Sequence, residues 1–98
     1  MIINHVKEGT ALTISLVGRL DSTTENDLIN FLNQQITPDL ASLTFDLKEV
    51  DFISSRGIRV LISTYKSFPN HQVFLTNPNS SVREVLNLSG LLTIFHVE

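Results

Sequence analysis

The chain has 98 residues, of which 42% are hydrophobic. It is therefore long enough for one domain with its own core and too short for two. Its net charge of −3 disfavours direct binding to nucleic acid. No apolar run reaches the length of a membrane span, about 18 residues, so we expect a cytoplasmic protein with no membrane partner. There is no cysteine, and the histidines are scattered at His5, His71 and His96, so we expect no disulfide framework, no metal centre and no cofactor.

The first third of the chain predicts a β-hairpin followed by a helix. Apolar residues at 12, 14 and 16 alternate with small or polar ones, which indicates a strand, and the apolar run at 2–6 meets it across a turn-like tetrad at 7–10. Apolar residues at 28, 31, 32 and 36 then follow a helical period, which predicts a helix over about 23–36. The sequence at 22–25 has the spacing of a capping box for this helix, and Pro38 ends it.

The remainder predicts strands and helices in alternation. Leu43, Phe45 and Leu47 indicate a third strand, residues 48–54 indicate a polar connection, and an apolar stripe that includes Ile58 and Leu61 predicts a core-facing helix over about 55–67. A short buried strand at 71–76 follows, then a helix with a capping box at 81–84 and a glycine end near residue 90, then a last strand at 93–97. The order β-β-α-β-α-β-α-β predicts an α/β domain with a largely parallel sheet.

Sequence motifs of ordinary enzymes are missing, and two serines at a predicted helix entrance stand out instead. There is no Gly-x-Ser-x-Gly elbow, no phosphate-binding loop and no His-Glu-x-x-His, so we do not expect an enzyme. Ser54 or Ser55 suffices to cap the helix, which leaves the other without a structural task. Gly57 is a poor helix former and indicates a close approach, either of the helix to its own sheet or of a partner backbone. From spacing alone, capping and a functional role both remain open.

The sequence Asp-Phe-Ile-Ser-Ser-Arg-Gly-Ile-Arg-Val-Leu at 51–61 resembles the signature loop and helix of STAS domains of the bacterial anti-sigma factor antagonist family. Val-Gly-Arg-Leu-Asp at 17–21 resembles the family's Gly-x-Leu-Asp, and Val-Leu-Asn-Leu-Ser-Gly-Leu at 85–91 provides a third match. Together they make residues 1–98 one STAS domain. The resemblance implies a four- to five-stranded mixed sheet, with three to four helices mainly on one side.

The resemblance also implies which residues act. It places the phosphorylated serine at Ser55, with Ser54 as the second choice, and an acidic residue close to it at Asp21. Many family members have aspartate in place of Ser54 and a small residue in place of Arg56, so this chain lacks one negative charge beside the hydroxyl and has a long cation on the contact surface. The expected partner-binding residues are Asp21, Phe52, Ile53, Ser54, Arg56, Gly57 and Arg59. We expect Phe52 and Ile53 to be exposed contacts, whereas Asp21 has an equally good structural explanation as a cap of the helix at 23–36.

The implied function is that of a switched protein-binding module. Unphosphorylated, the domain would bind a protein that is both anti-sigma factor and serine kinase and would free a sigma factor, and phosphorylation of Ser55 would release it. A serine phosphatase is a further expected partner. Two alternatives remain: a constitutive accessory subunit of a transporter ATPase or sensory assembly, and a small nucleotide-binding or enzymatic domain that uses Ser55 and Asp21.

Overall fold

The computed structural model describes residues 1–98 apart from the side chain of His96. In this described part the chain forms five strands: β1 (Ile2–Glu8), β2 (Ala11–Leu20), β3 (Ser42–Ile53), β4 (Val73–Thr76) and β5 (His96–Val97). Four α-helices alternate with them: α1 (Glu25–Gln35), α2 (Ser55–Ser67), α3 (Ser80–Leu88) and α4 (Leu91–Ile94). A 3-10 turn at Pro69–His71 follows α2.

The strands form one mixed sheet in the order β1-β2-β3-β4-β5. β1 and β2 are an antiparallel hairpin, and the remaining pairs are parallel. Gly9 lies in the hairpin turn with a φ of 61°. A residue without a Cβ adopts this positive φ without strain. Each crossover from β2 onward places the next parallel strand beside the previous one, always towards the same edge of the sheet. Because such crossovers are right-handed, their helices all lie on one face of the sheet. The predicted hairpin, mixed sheet and one-sided helices are confirmed.

The core lies between the sheet and the helices. Over 12–16 in β2 and 43–47 in β3, alternate residues are buried and the residues between them are half-buried and belong to the helix-free face, whereas beyond residue 47 the buried residues of β3 are three apart and the residues between them are exposed. Burying one such Leu or Phe side chain contributes about 1.5–3 kcal/mol. α2 supplies Ile58 and Leu61 to the same core, at 8% and 0% exposure, which confirms that this stripe is structural. The buried residues of the two central strands are Leu12, Ile14, Leu16, Leu20, Leu43, Phe45, Leu47, Val50 and Ile53.

β3 is longer than predicted, because residues 48–53 continue the strand instead of forming a connection. β2 has register shifts between Ser15 and Val17 and between Gly18 and Arg19, and Gly18 has a φ of 108°. Such irregularities leave an extra residue unpaired, bend the strand and change the direction of its side chains, and pairing resumes beyond them. β3 therefore stays paired to the last residue of β2, and the segment expected to be a polar loop is part of the sheet.

Two helix starts differ from the prediction. The capping box predicted at 22–25 is wrong: α1 begins at Glu25, and the Thr24 hydroxyl donates to the Arg19 carbonyl at 2.7 Å rather than capping the helix. The box predicted at 81–84 is also wrong, since Asn79 is the N-cap and its Oδ1 accepts the Val82 N–H at 2.8 Å. Both boxes matched a spacing, but α1 begins at Glu25 and the N-cap of α3 is Asn79.

The C-terminal segment contains a helical turn that the sequence analysis assigned to a strand. Gly90 has a φ of 77°. This value confirms the left-handed residue expected after α3. The chain then turns into α4, whose first residue Leu91 and C-cap residue Phe95 are both buried, and the Phe95 N–H donates to the Leu91 carbonyl at 2.8 Å. This i, i+4 pair favours helix, so β5 is shorter than the strand predicted at 93–97.

Candidate functional site

The candidate site lies at the edge of the sheet where β2 and β3 end side by side. Leu20 pairs with Ile53, and the Ser54 N–H donates to the Leu20 carbonyl at 3.0 Å, which fastens the turn before α2 to the end of β2. Adjacent strands lie about 4.8 Å apart. Asp21, the residue after β2, and Ser54, the residue after β3, therefore follow paired strand ends.

The two serines have different environments. Ser54 is the N-cap of α2: its Oγ accepts the Gly57 N–H at 3.4 Å and its carbonyl accepts the Ile58 N–H at 2.9 Å. Ser55 is the first residue of the helix, is exposed, and its hydroxyl forms no hydrogen bond with the described residues. Capping is therefore the task of Ser54, and the Ser55 hydroxyl is accessible to another protein.

Gly57 is where α2 comes closest to the sheet. A Cβ at this position would lie 2.6 Å from the Leu20 carbonyl oxygen and 2.7 Å from Leu20 Cγ, so only glycine fits without displacing β2. The close approach is that of the helix to its own sheet, and the expected contact of Gly57 with a partner is wrong because the residue is buried. Ile53 is only 2% exposed, and the expectation that it is an exposed contact is also wrong. It pairs with Leu20 and faces α2.

Phe52 faces outward and is 41% exposed, as expected, but it does not stand alone. Its pairing partner on β2 is Arg19, whose guanidinium carbon lies 4.4 Å from the centre of the Phe52 ring. An exposed cation–π contact of this kind contributes about 0.5–1 kcal/mol and holds both side chains in place. Arg19 was missed by the sequence analysis, because its position depends on the shifted register between the two strands.

Asp21 is held by contacts within its own segment. One carboxylate oxygen accepts the Thr23 hydroxyl at 2.6 Å and the Thr23 N–H at 2.9 Å, and the other lies 3.1 Å from Arg19 Nε. The Thr23 hydroxyl, then the Thr23 amide and then Arg19 lower the pKa of the Asp21 carboxyl below its ordinary value, so it is ionised at neutral pH. Thr24, not Asp21, is the N-cap of α1, but the structural explanation of Asp21 holds in the form of an Asx turn before that helix.

The two arginines of α2 differ in their partners. Arg56 reaches across to α1, where its Nη1 lies 2.9 Å from Glu25 Oε1, and this ion pair joins the first turns of the two helices. Glu25 was not predicted as a site residue. Arg59 lies one turn after Ser55 on the same face of α2, is exposed, and forms no ion pair with the described residues. The positive end of the α2 macrodipole and Arg59 therefore both lie beside the Ser55 hydroxyl.

Comparison with known proteins identifies the family. The family model for the STAS domain matches residues 2–98. The chain belongs to the STAS domain family. BtrV of Bordetella bronchiseptica, a proposed anti-sigma factor antagonist, is 33% identical over 88 residues, which are 88% of this chain and 76% of BtrV.

Solved structures share the fold of this STAS domain. An anti-sigma factor antagonist from Mycobacterium paratuberculosis superposes with a TM-score of 0.89 at 21% identity, over 98% of this chain and 83% of that one. The antagonist SpoIIAA in its unphosphorylated form gives 0.82 at 18% identity, over 99% and 88%. The phosphorylated form of SpoIIAA, a Bacillus cell fate determinant, gives 0.66 at 16% identity, over 99% and 91%.

The described residues of this STAS domain contain no group of three or more histidine, aspartate or glutamate side chains that could hold a metal ion. The side chain of His96 lies outside the described residues, so this statement covers only His5 and His71 among the histidines. Within the described part of the chain, no helix has the length and apolar character needed to cross a membrane.

Proposed function

We propose that this STAS domain is an anti-sigma factor antagonist whose binding is switched at Ser55. It binds an anti-sigma factor that is also a serine kinase while the Ser55 hydroxyl is free, and it is released when that hydroxyl is phosphorylated. The observation that carries the proposal is the exposed, unbonded hydroxyl of Ser55 beside a neighbour, Ser54, that already caps the helix. The similarity to BtrV and the existence of SpoIIAA in both phosphorylation states support it.

The fold has what it needs to accept the modification. The kinase transfers the γ-phosphoryl group of ATP to Ser55 Oγ, ADP leaves, and the hydroxyl proton passes to a base on the kinase. The phosphoserine brings about −1.5 to −2 charges at neutral pH. These charges meet roughly half a positive charge at the helix N-terminus and the free guanidinium of Arg59 one turn later. The phosphorylated domain therefore stays folded.

The same phosphate acts against a bound partner. A partner surface fitted to a neutral hydroxyl offers the phosphate no cation of its own and excludes water from it, and the ionised carboxylate of Asp21 follows the strand end beside the site. An unpaired buried charge costs several kcal/mol, and about 2.8 kcal/mol already weakens binding a hundredfold. The modification therefore separates the two proteins without unfolding either.

The neighbouring side chains form the contact surface around Ser55. Phe52 and Arg19 are exposed, and their cation–π contact holds both side chains in place. They therefore lose little conformational entropy when a partner binds, and aromatic and arginine side chains are frequent in protein interfaces. Arg56 is held by its ion pair with Glu25 on α1. The Ser55 hydroxyl, which forms no hydrogen bond with the described residues, is open to a kinase. A serine phosphatase that removes the phosphate would complete the cycle.

Phosphorylation in vitro tests the proposal. The chain is incubated with ATP and a candidate anti-sigma kinase, and the modified residue is located by mass spectrometry. We expect one phosphate per chain in the wild type and in Ser54→Ala, and none in Ser55→Ala. A phosphate that persists in Ser55→Ala would refute the assignment. Absence of phosphate from the wild type, together with unchanged partner binding by Ser55→Asp, would instead indicate a constitutive accessory subunit.

A further inference from the structure

The exposed face of α2 is cationic in a chain whose net charge is negative. The helix contains Arg56, Arg59 and Lys66 and no acidic residue, whereas the whole chain has a net charge of −3. Arg56 is paired with Glu25, but Arg59 and Lys66 are exposed and form no ion pair with any described residue. They are seven residues apart, which puts them on one face of α2 at a distance of two turns, about 10.5 Å along the axis. We call Arg59 and Lys66 the basic pair.

A groove between α1 and α2 is lined by Arg59, and Lys66 lies in the adjoining depression beside the groove residues Ser63 and Ser67. The volume of the groove is about 440 Å³. This is in the range of clefts that hold ligands or side chains of a partner. Leu32 and Val60, each 6% exposed, close its floor, and Ile29, at 37% exposure, stands on its α1 side. Arg59 is one of the lining residues, and the charge of the acidic lining residue, Glu25, is already compensated by its ion pair. The groove thus has an apolar floor and a cationic rim on the α2 side.

We propose that this groove binds an acidic amphipathic helix of the protein partner. The part of α2 that lines the groove begins at residue 59 and ends at residue 67. It is about 12 Å long, which matches about two turns of a second helix. Apolar side chains of that helix enter the groove, and two carboxylates seven residues apart on its edge meet the basic pair. The positive charge of the basic pair favours an acidic helix. The two-turn spacing of its cations matches carboxylates seven residues apart on that helix.

The groove is connected to the switch through Arg59. Ser55 and Arg59 are four residues apart on α2, so a phosphate on Ser55 pairs with Arg59 and removes it from the carboxylate of the bound helix. The remaining phosphate charge repels the acidic helix from the end of the groove. This inference rests on the proposed function, since the docked helix is taken to be part of the anti-sigma kinase.

Photocrosslinking locates the docked segment. Because the chain has no cysteine, Ser63→Cys beside the groove is the single attachment point for a benzophenone-maleimide label. The labelled chain is irradiated in complex with the anti-sigma kinase, and the crosslinked peptide is identified by mass spectrometry. We expect a helical segment with Asp or Glu residues seven apart. Asn4→Cys, exposed on β1 at the other side of the molecule, is the control and is expected to give no crosslink to that segment.

Charge reversal tests the basic pair. The double variant Arg59→Glu with Lys66→Glu is expected to bind the kinase at least tenfold more weakly, whereas Lys48→Glu, an exposed lysine of β3, is expected to stay within twofold of the wild type. Replacing the two acidic residues of the crosslinked segment by lysine is expected to restore binding to the double variant. Far-UV circular dichroism confirms that each variant is folded.

The outcomes separate this inference from the proposed function. Wild-type affinity in the folded double variant, or a crosslink to a segment without paired acidic residues, would overturn the docking assignment. If Ser55→Asp still weakens binding in that case, the proposed function stands without it. If the kinase does not bind the unmodified wild-type chain at all, both are wrong.

Discussion

Replacing Gly57 by alanine tests how closely α2 is packed against the sheet. The added Cβ would lie 2.6 Å from the Leu20 carbonyl oxygen, which also accepts the Ser54 N–H at 3.0 Å, so the backbone cannot move away without weakening that bond. Overpacking of this kind costs about 1–3 kcal/mol, and the better helix propensity of alanine returns up to about 1 kcal/mol. Because the obstacle is backbone, we expect a net loss of about 1.5 kcal/mol in the free energy of unfolding, which lowers Tm by about 6–12 °C.

Urea unfolding followed by circular dichroism measures this loss. Ser63→Ala is the matched control, because the residue is at an exposed position of α2 and alanine adds no atom to it. Its stability is expected to stay within about 0.5 kcal/mol of the wild type. Equal or greater stability of Gly57→Ala would show that the helix stands further from β2 than the structure places it. The proposed reason for glycine at this position would then be wrong.

Three further measurements address the helix caps and the charges. In urea unfolding, Asn79→Ala is expected to cost about 2 kcal/mol and Ser54→Ala about 0.5–1 kcal/mol, and the reverse order would contradict this expectation. The difference arises because the Asn79 side chain makes bonds of 2.8 and 3.0 Å to backbone groups, whereas Ser54 makes one of 3.4 Å. The carboxyl of Asp21 has a lowered pKa in the folded chain because of the hydroxyl and amide that donate to it and the adjacent guanidinium. The wild type is therefore expected to be more stable than Asp21→Asn above the ordinary aspartate pKa of about 3.9, and to lose this advantage as the pH falls through the lowered pKa of the folded chain. Urea midpoints of both proteins across this pH range measure the difference in stability. A difference that persists in acid would refute the expectation. A double-mutant cycle with Arg56→Ala and Glu25→Gln is expected to give a coupling of only about 0.2–1 kcal/mol, and a larger coupling would contradict this. The coupling is small because the arginine side chain is 56% exposed.

The elements that local sequence determines were predicted closely. α2 was expected over about 55–67 and spans Ser55–Ser67, since its apolar stripe, its serine cap and the following proline are all local signals. The predicted end of β3 came too early in the chain. The last residues of the strand are held by pairing with β2 through register shifts, which a local sequence pattern does not reveal. The helical turn of α4 was not predicted for a related reason, because four residues with one buried leucine do not establish a period.

The candidate site divides in the same way. The accessible serine could be found from sequence, because two hydroxyls stood where one cap was needed. The contact of Arg19 with Phe52 could not, since the two residues are far apart in the chain and meet only through the β2–β3 register. Glu25 and the groove between α1 and α2 were likewise out of reach, because they depend on how two helices pack on the sheet.

The central claim is that the partner requires a neutral hydroxyl at Ser55. The direct test is isothermal titration calorimetry of the anti-sigma kinase with two forms of the chain, one unmodified and one phosphorylated at Ser55. We predict that the phosphorylated form, with an unchanged circular dichroism spectrum, binds at least a hundredfold more weakly, a difference of about 2.8 kcal/mol. Equal affinity of the two folded forms would contradict the account.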